Sequence, residues 1–318
     1  MTTLPGSFGS PDSTHPRGMA RPALNVWLVT DRTPGHVSQL AGLAAGLAEQ
    51  MFVCERWIDD PFAPPGGTAS GGATPDLILC CGRRTHRPAL ALQQRFGGRS
   101  VVLMRPSRPW LRFDLAVVPA HDRPRPSAGT VITQGALNTL RPSGGDPAQG
   151  VILVGGPSRH VAWNDAAVLH QIDRLVADTH AEGIAWRLTT SRRTPESLLL
   201  PLIERQHERL RVIPCEQTPP DWVASQLARA GHAAVTGDSV SMVCEAATAG
   251  CTTTVLEVPP VRRRSRVHEG VRQLVEAGHI TTLDRRDGFV PQQSLREADR
   301  VAEHIITNWF TTPRRAAA

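Results

Sequence analysis

Between Ala233 and Val258 the chain reads AAVTGDSVSMVCEAATAGCTTTVLEV, which sets Ser239, Ser241 and Glu245 close together. Two hydroxyls and a carboxylate at this spacing can meet the hydroxyls of a sugar or nucleoside. The apolar runs 233–235 and 253–256 read as buried parallel strands, and the roughly 17 residues between them suffice for one helical crossover. Ala246, Ala247 and Ala249 keep that helix slim against a sheet. Gly237-Asp238-Ser239 then falls at the carboxyl end of a strand, where ligands collect in open α/β sheets and helix amides attract anions. Asp238 and Ser239 serve equally well as plain helix caps. The layout points to a nucleotide-sugar site.

The elements that position such groups recur along the chain. Asn25–Thr30 reads as a strand, followed by Asp31–His36 and a helix from about Val37 to Gln50. Leu77–Leu79 leads to Gly82-Arg83-Arg84-Thr85 and a helix near Pro88–Phe96, and Ser100–Met104 and Leu115–Val118 are two more strands, the second ending in Pro119-Ala120-His121-Asp122. After a Pro/Gly-rich stretch, Arg141–Pro147, the plan repeats. Val151–Val154 runs into Gly155-Gly156-Pro157-Ser158-Arg159-His160 and a helix over 165–182, and Trp186–Thr189 delivers Ser191-Arg192-Arg193-Thr194-Pro195 to the same sheet edge. The economical architecture is α/β, two Rossmann-like domains facing each other across a cleft. The expected division is a disordered tail over 1–22, an acceptor-side domain over 23–145 and a donor domain over 146–294. A terminal helix within 295–318, with Val301, Ile305, Ile306 and Trp309 on one side, is expected to cross back to the first domain. Residues 61–75 are read as a flexible loop.

Composition excludes several chemistries. The 318 residues contain no Lys and no Tyr, and all 35 basic side chains are Arg, so a phosphate-loop lysine, a Schiff-base lysine and a Tyr/Lys dehydrogenase pair are ruled out. A net charge of +6 favours anionic partners such as nucleoside diphosphates or phospholipid head groups. An aromatic content of 4% with no basic run interleaved by stacking residues argues against nucleic acid. The cluster Arg262-Arg263-Arg264 with Arg266 is either a solvated loop or a phosphate or membrane-surface contact. Six cysteines show no metal-site spacing, and Cys80-Cys81 reads as buried packing. No apolar stretch is long enough to span a bilayer, so the expected location is cytoplasmic, with peripheral contact at the inner face of the membrane.

The motifs GRRT at 82–85, PAHD at 119–122, LVGGPSRH at 153–160, TTSRRTP at 189–195 and VTGDSVSMVCEA at 235–246, with the early Gly35-His36, resemble the mitochondrial fission family named for elongated mitochondria in plants. The resemblance covers nearly all of residues 24–285. That family in turn resembles glycosyltransferases of the two-Rossmann-domain, GT-B type. The resemblance implies that Gly155 and Gly156, with Ser158 beyond them, present backbone amides to a donor diphosphate. It also implies that Arg192 or Arg193 neutralises the leaving group, that Glu245 accepts hydrogen bonds from the ribose, and that Asp238, Ser239 and Ser241 line the phosphate or sugar pocket.

For the base that takes the acceptor proton, His36 resembles the position used by inverting relatives, while His121 and Asp122 compete for the role and a purely structural part for all three remains open. Gly35, Arg83 and Arg84 fall on the acceptor side, the arginines either binding an anionic acceptor or pairing with surface carboxylates. No metal and no cofactor is expected, only a nucleotide-sugar substrate and a glycan or lipid-linked acceptor. Two alternatives stand beside this transferase: a non-catalytic scaffold in membrane remodelling, and a nucleoside-diphosphate-sugar epimerase, disfavoured here by the missing Tyr/Lys pair.

Overall fold

Apolar runs with no polar face must be covered on both sides, and they set the layers here. The computed structural model describes residues 23–59, 73–262 and 265–311. The expected N-terminal tail, most of the 61–75 loop, and Arg263 and Arg264 lie outside the described residues. Strand β3 (Leu77–Cys81) is buried at every position, flanked by β1 (Leu24–Val29) and β4 (Arg99–Leu103). With β2 (Val53–Ile58), β5 (Leu115–Pro119) and β6 (Thr130–Thr133) they form a parallel six-stranded sheet of order β2-β1-β3-β4-β5-β6. A second parallel sheet has the order β12-β11-β10-β7-β8-β9. Its strands are β7 (Asp146–Leu153), β8 (Ala185–Thr189), β9 (Leu210–Ile213), β10 (Ala230–Thr236), β11 (Thr252–Leu256) and β12 (Thr281–Thr282).

Parallel pairing requires crossovers, and the helices supply them. They are α1 (Pro34–Ala48), α2 (His86–Phe96), α3 (Asp165–Asp178), α4 (Glu196–Glu204), α5 (Trp222–Leu227), α6 (Val240–Thr248), α7 (Arg266–Glu276) and α8 (Glu297–Trp309). The strand order reverses between β1 and β3 in the first sheet and between β7 and β10 in the second. In such sheets the crevice at the reversal, beyond the carboxyl ends, is where ligands bind.

Helix α8 packs on the first lobe. Ala298, Val301, Ala302 and Ile305 join the core containing Leu40, Leu43 and Leu47 of α1, and full burial of a Val or Ile side chain contributes about 1.5–3 kcal/mol. The helices approach closely because α1 carries Gly46 at the crossing: a Cβ there would sit 2.8 Å from the Ala298 carbonyl oxygen.

The lobes also meet along a second seam. Asn138, buried in the connection after β6, donates from Nδ2 to Thr248 Oγ1 of α6 at 3.1 Å. Asp122, just past the carboxyl end of β5, pairs with Arg266 at the start of α7 at 3.1 Å. Since α7 follows the carboxyl end of β11, this contact turns the carboxyl ends of the two sheets toward one another.

Candidate functional site

At the β7/β10 reversal a buried polar node ties three strand ends together. The Gly155 amide donates to Thr236 Oγ1 at 2.8 Å, Thr236 donates to Asp238 Oδ1 at 2.6 Å, and the Gly156 amide donates to Asp238 Oδ2 at 3.2 Å. Arg193 Nη2 donates to the same carboxylate at 2.6 Å and its Nη1 to the Gly156 carbonyl at 3.0 Å. Side chains on the two glycines would overlap the Asp238 carboxylate and the Arg193 backbone.

These contacts correct part of the expected donor site. The Gly155 and Gly156 amides and the Asp238 carboxylate are consumed inside the protein, and Arg193 is committed to Asp238. Glycine is needed there for packing within the chain rather than for approach to a ligand. Ser239 is the N-cap of α6, its hydroxyl accepting from the Met242 amide, and Ser158 accepts from the His160 amide at 3.2 Å.

What remains open at this edge is narrower. Ser241 donates to Glu245 Oε1 at 3.3 Å. Burial pushes the Glu245 carboxyl above its ordinary value, and the Ser241 hydroxyl only partly offsets it. A half-buried carboxyl with one hydroxyl partner is suited to accept further hydrogen bonds. The first-turn amides of α6 lack carbonyl partners, as in any helix, and attract anions. Arg192 is exposed beside the node.

At the β1/β3 reversal the first lobe holds a dyad. His36 Nδ1 lies 2.9 Å from Asp31 Oδ1, and the Thr33 amide donates to the same oxygen at 3.1 Å. Burial raises the Asp31 carboxyl, but the hydrogen bonds from His36 and Thr33 outweigh it and hold it below its ordinary value. The dyad rests on Gly82, where a Cβ would lie 2.6 Å from His36 Nδ1 and 2.7 Å from Asp31 Oδ2, and where φ is +95°. Only glycine meets both conditions.

Gly35 and His36 are first-turn residues of α1, with Pro34 opening the helix, rather than parts of a loop. Gly35 has open space around it and no steric need to be glycine. Asp31 and Gly82 were not singled out from the sequence; the spacing of Asp31 and His36 around a proline-opened helix was the available signal. Three non-glycine residues, Arg32, Met104 and Arg123, have φ of 60°, 71° and 51°, all in turns just past β1, β4 and β5. Left-handed backbone of this kind costs of order 1–2 kcal/mol per residue.

His121 and Asp122, the other candidates for the base, are both engaged by the second lobe. His121 packs on Gly270 of α7, where a Cβ would lie 3.1 Å from its Nδ1, and that nitrogen has no partner among the described residues. Asp122 is buried and neutralised by Arg266. Both belong to the seam between the lobes. Arg83 and Arg84, both exposed, diverge: Arg83 lines a cavity of about 930 Å³ and Arg84 does not.

His86 is fully enclosed, and the Ser107 amide donates to its Nδ1 at 3.2 Å, so that nitrogen carries no proton. Burial, with the nearby His36 second, pushes His86 below its ordinary 6.5. Burial also lowers His121 and His232. Above about 6.5 these imidazoles are neutral in folded and unfolded chains alike. Below it the unfolded chain takes up protons that the folded chain refuses, so stability falls as pH drops from 6.5 toward each depressed value. The melting temperature is therefore expected to decline between pH 7.5 and 5.5, and a His121→Asn variant to lose part of that decline; a flat profile would contradict the assignment.

The residues 34–309 match the family model described as mitochondrial fission ELM1. The chain belongs to that family. Comparison with curated proteins finds no match. Among solved structures, this member of the mitochondrial fission family is similar to a putative UDP-N-acetylglucosamine 2-epimerase from Listeria monocytogenes. The identity is 14% and the TM-score 0.56, covering 92% of this chain and 98% of the other. A UDP-GlcNAc 2-epimerase from Methanocaldococcus jannaschii gives 12% identity and a TM-score of 0.53, covering 90% and 99%. MurG from Acinetobacter baumannii gives 13% identity and a TM-score of 0.50, covering 90% and 99%. At these identities the likeness concerns the fold, which is the GT-B arrangement of two Rossmann-like lobes.

A second cavity, about 350 Å³ and mostly apolar, lies between α7 and β11. Its lining includes Gly237, Val255, Pro259 and Val271, and it holds none of the expected donor residues. Among the described residues no group of three or more His, Cys, Asp or Glu is placed to hold a metal ion, and no helix is long and apolar enough to cross a membrane.

Proposed function

We propose that the chain is a metal-independent glycosyltransferase that takes a nucleotide-sugar donor on the second lobe and a glycan or lipid acceptor on the first, working from the cytoplasmic side at a membrane surface. The supporting observation is that chemistry-bearing side chains sit at both strand-order reversals of two lobes whose carboxyl edges turn toward each other. In this reading Glu245 accepts hydrogen bonds from the ribose, while the first turn of α6, with Ser241, takes the diphosphate in place of the Gly155 and Gly156 amides. Arg192 supplies a mobile positive charge. His36, held by Asp31, takes the proton from the acceptor hydroxyl as its oxygen attacks the anomeric carbon. The bond from that carbon to the diphosphate breaks, and its electron pair leaves with the diphosphate.

Calorimetric titration with UDP-, GDP-, ADP- and CMP-sugars tests the donor half. Hydrogen bonds to a charged group are worth about 1.5–3 kcal/mol, so Glu245→Ala is expected to weaken the binding donor by about 10- to 150-fold. Absence of binding by the wild type, or an unchanged affinity in the variant, overturns the assignment.

A second reading, 2-epimerisation of a nucleotide sugar, is favoured by the fold shared with two epimerases. Proton NMR of a bound donor incubated without acceptor separates them: a new C2 epimer supports epimerisation, whereas turnover only when an acceptor is added supports transfer. A donor bound but never converted points to the scaffold.

A further inference from the structure

We infer that the cavity of about 930 Å³ on the first lobe is a binding site for a phosphate-bearing anion. Five arginines, Arg83, Arg105, Arg108, Arg112 and Arg266, line it, and no Asp or Glu does. Among the described residues the first four make no ion pair, and Arg266 pairs only with Asp122 at the seam. Like charges gathered in one concavity repel, and a doubly charged anion relieves that repulsion. Planar guanidinium groups bind phosphate oxygens in pairs, which makes an arginine ring a better fit to phosphate than to a monovalent anion. The volume is in the range of small-molecule sites, with room for a phosphorylated sugar or a lipid head group.

The site is built rather than accidental. Arg105, Arg108 and Arg112 ride on the loop after β4, and that loop is pinned at its base. Met104 adopts left-handed backbone, and the Ser107 amide donates to the enclosed His86. Phe113 closes the other end edge-on to the His86 ring at 5.6 Å. The arginines are thus held near one another before any ligand arrives. Arg266 comes from the second lobe, so an anion gripped here touches both lobes.

The shared chemistry is a phosphate or diphosphate group, and the loop suggests where it comes from. Trp110, 60% exposed, stands at the tip with the Arg108 guanidinium 5.4 Å from its ring centroid. An exposed indole with an arginine over its ring suits the head-group level of a bilayer. The anion site stands on its own; its assignment to the acceptor rests on the transferase reading.

The test uses the full chain with no donor and no turnover, so either idea can fail alone. Inorganic diphosphate is titrated by calorimetry, and phosphatidylcholine vesicles with or without phosphatidic acid are used in co-sedimentation. Wild type is expected to bind diphosphate, the Arg105→Ala/Arg112→Ala double variant to bind it at least 10-fold more weakly, and Arg174→Ala, on the far lobe, to match wild type. Trp110→Ala that loses phosphatidic acid vesicles while keeping diphosphate assigns the group to a lipid. Vesicle binding that is absent in wild type while diphosphate binds assigns it to a soluble phosphate. If wild type binds neither probe, or the folded double variant, checked by its melting curve, binds both as wild type does, the site is overturned.

Discussion

His36→Ala is expected to lower turnover with a competent donor and acceptor by about 10²- to 10⁴-fold, the usual contribution of a positioned general base, while leaving donor affinity within about twofold, since His36 stands on the opposite lobe from Glu245. The physical basis is the dyad. Asp31 holds Nδ1 of the ring at 2.9 Å, which fixes its orientation and stabilises the imidazolium formed when Nε2 takes a proton. Asp31→Asn removes that stabilisation while keeping the shape, so its loss should appear in kcat rather than in donor KM. Gly82→Ala should displace the ring, because a Cβ would stand 2.6 Å from Nδ1. Steady-state kinetics with calorimetric donor binding checks all three. Full turnover in His36→Ala would remove the base role and leave the seam residue His121 as the remaining imidazole candidate.

The second large effect concerns stability. Asp238 is wholly enclosed and accepts from the Gly156 amide, the Thr236 hydroxyl and Arg193. In Asp238→Ala the first two donors stay buried without their acceptor, and each orphaned group costs about 1–3 kcal/mol, giving a loss of about 2–6 kcal/mol. The Arg193 ion pair adds little, because the Arg193 side chain is 43% exposed and its guanidinium can regain water. Asp238→Asn keeps an acceptor oxygen and should lose less. Urea denaturation followed by circular dichroism measures both. An Asp238→Ala variant as stable as wild type would show that the node is not the fastening it is taken to be, and would return Asp238 to the list of ligand contacts.

Much of the fold was legible because central strands of a parallel sheet are buried on both faces and appear as continuous apolar runs. Every run read as a strand overlaps one, although Asn25–Thr30, Ser100–Met104 and Val151–Val154 each overrun the carboxyl end of the strand by one residue. The four strands that the pattern did not disclose, Val53–Ile58, Thr130–Thr133, Leu210–Ile213 and Thr281–Thr282, are the four sheet edges. An edge strand has one neighbour and a partly solvated face, so Val53–Ile58 can carry Glu55 and Arg56 without penalty, and its sequence loses the signature.

The candidate site divides along a similar line. Local order along the chain determined that strand ends would carry His36, the Gly155-Gly156 turn and the helix bearing Ser241 and Glu245, because a strand, turn and helix are contiguous in sequence. Which of those groups stay free was decided by contacts between distant segments. Asp238 reaches back 82 residues to claim the Gly156 amide, Gly82 crosses from another strand to cradle Asp31 and His36, and Arg266 of the second lobe neutralises Asp122 of the first. Hydrogen bonds act over about 3 Å in space and carry no mark of their span in the sequence, so residue type and position named the candidates, and tertiary packing chose among them.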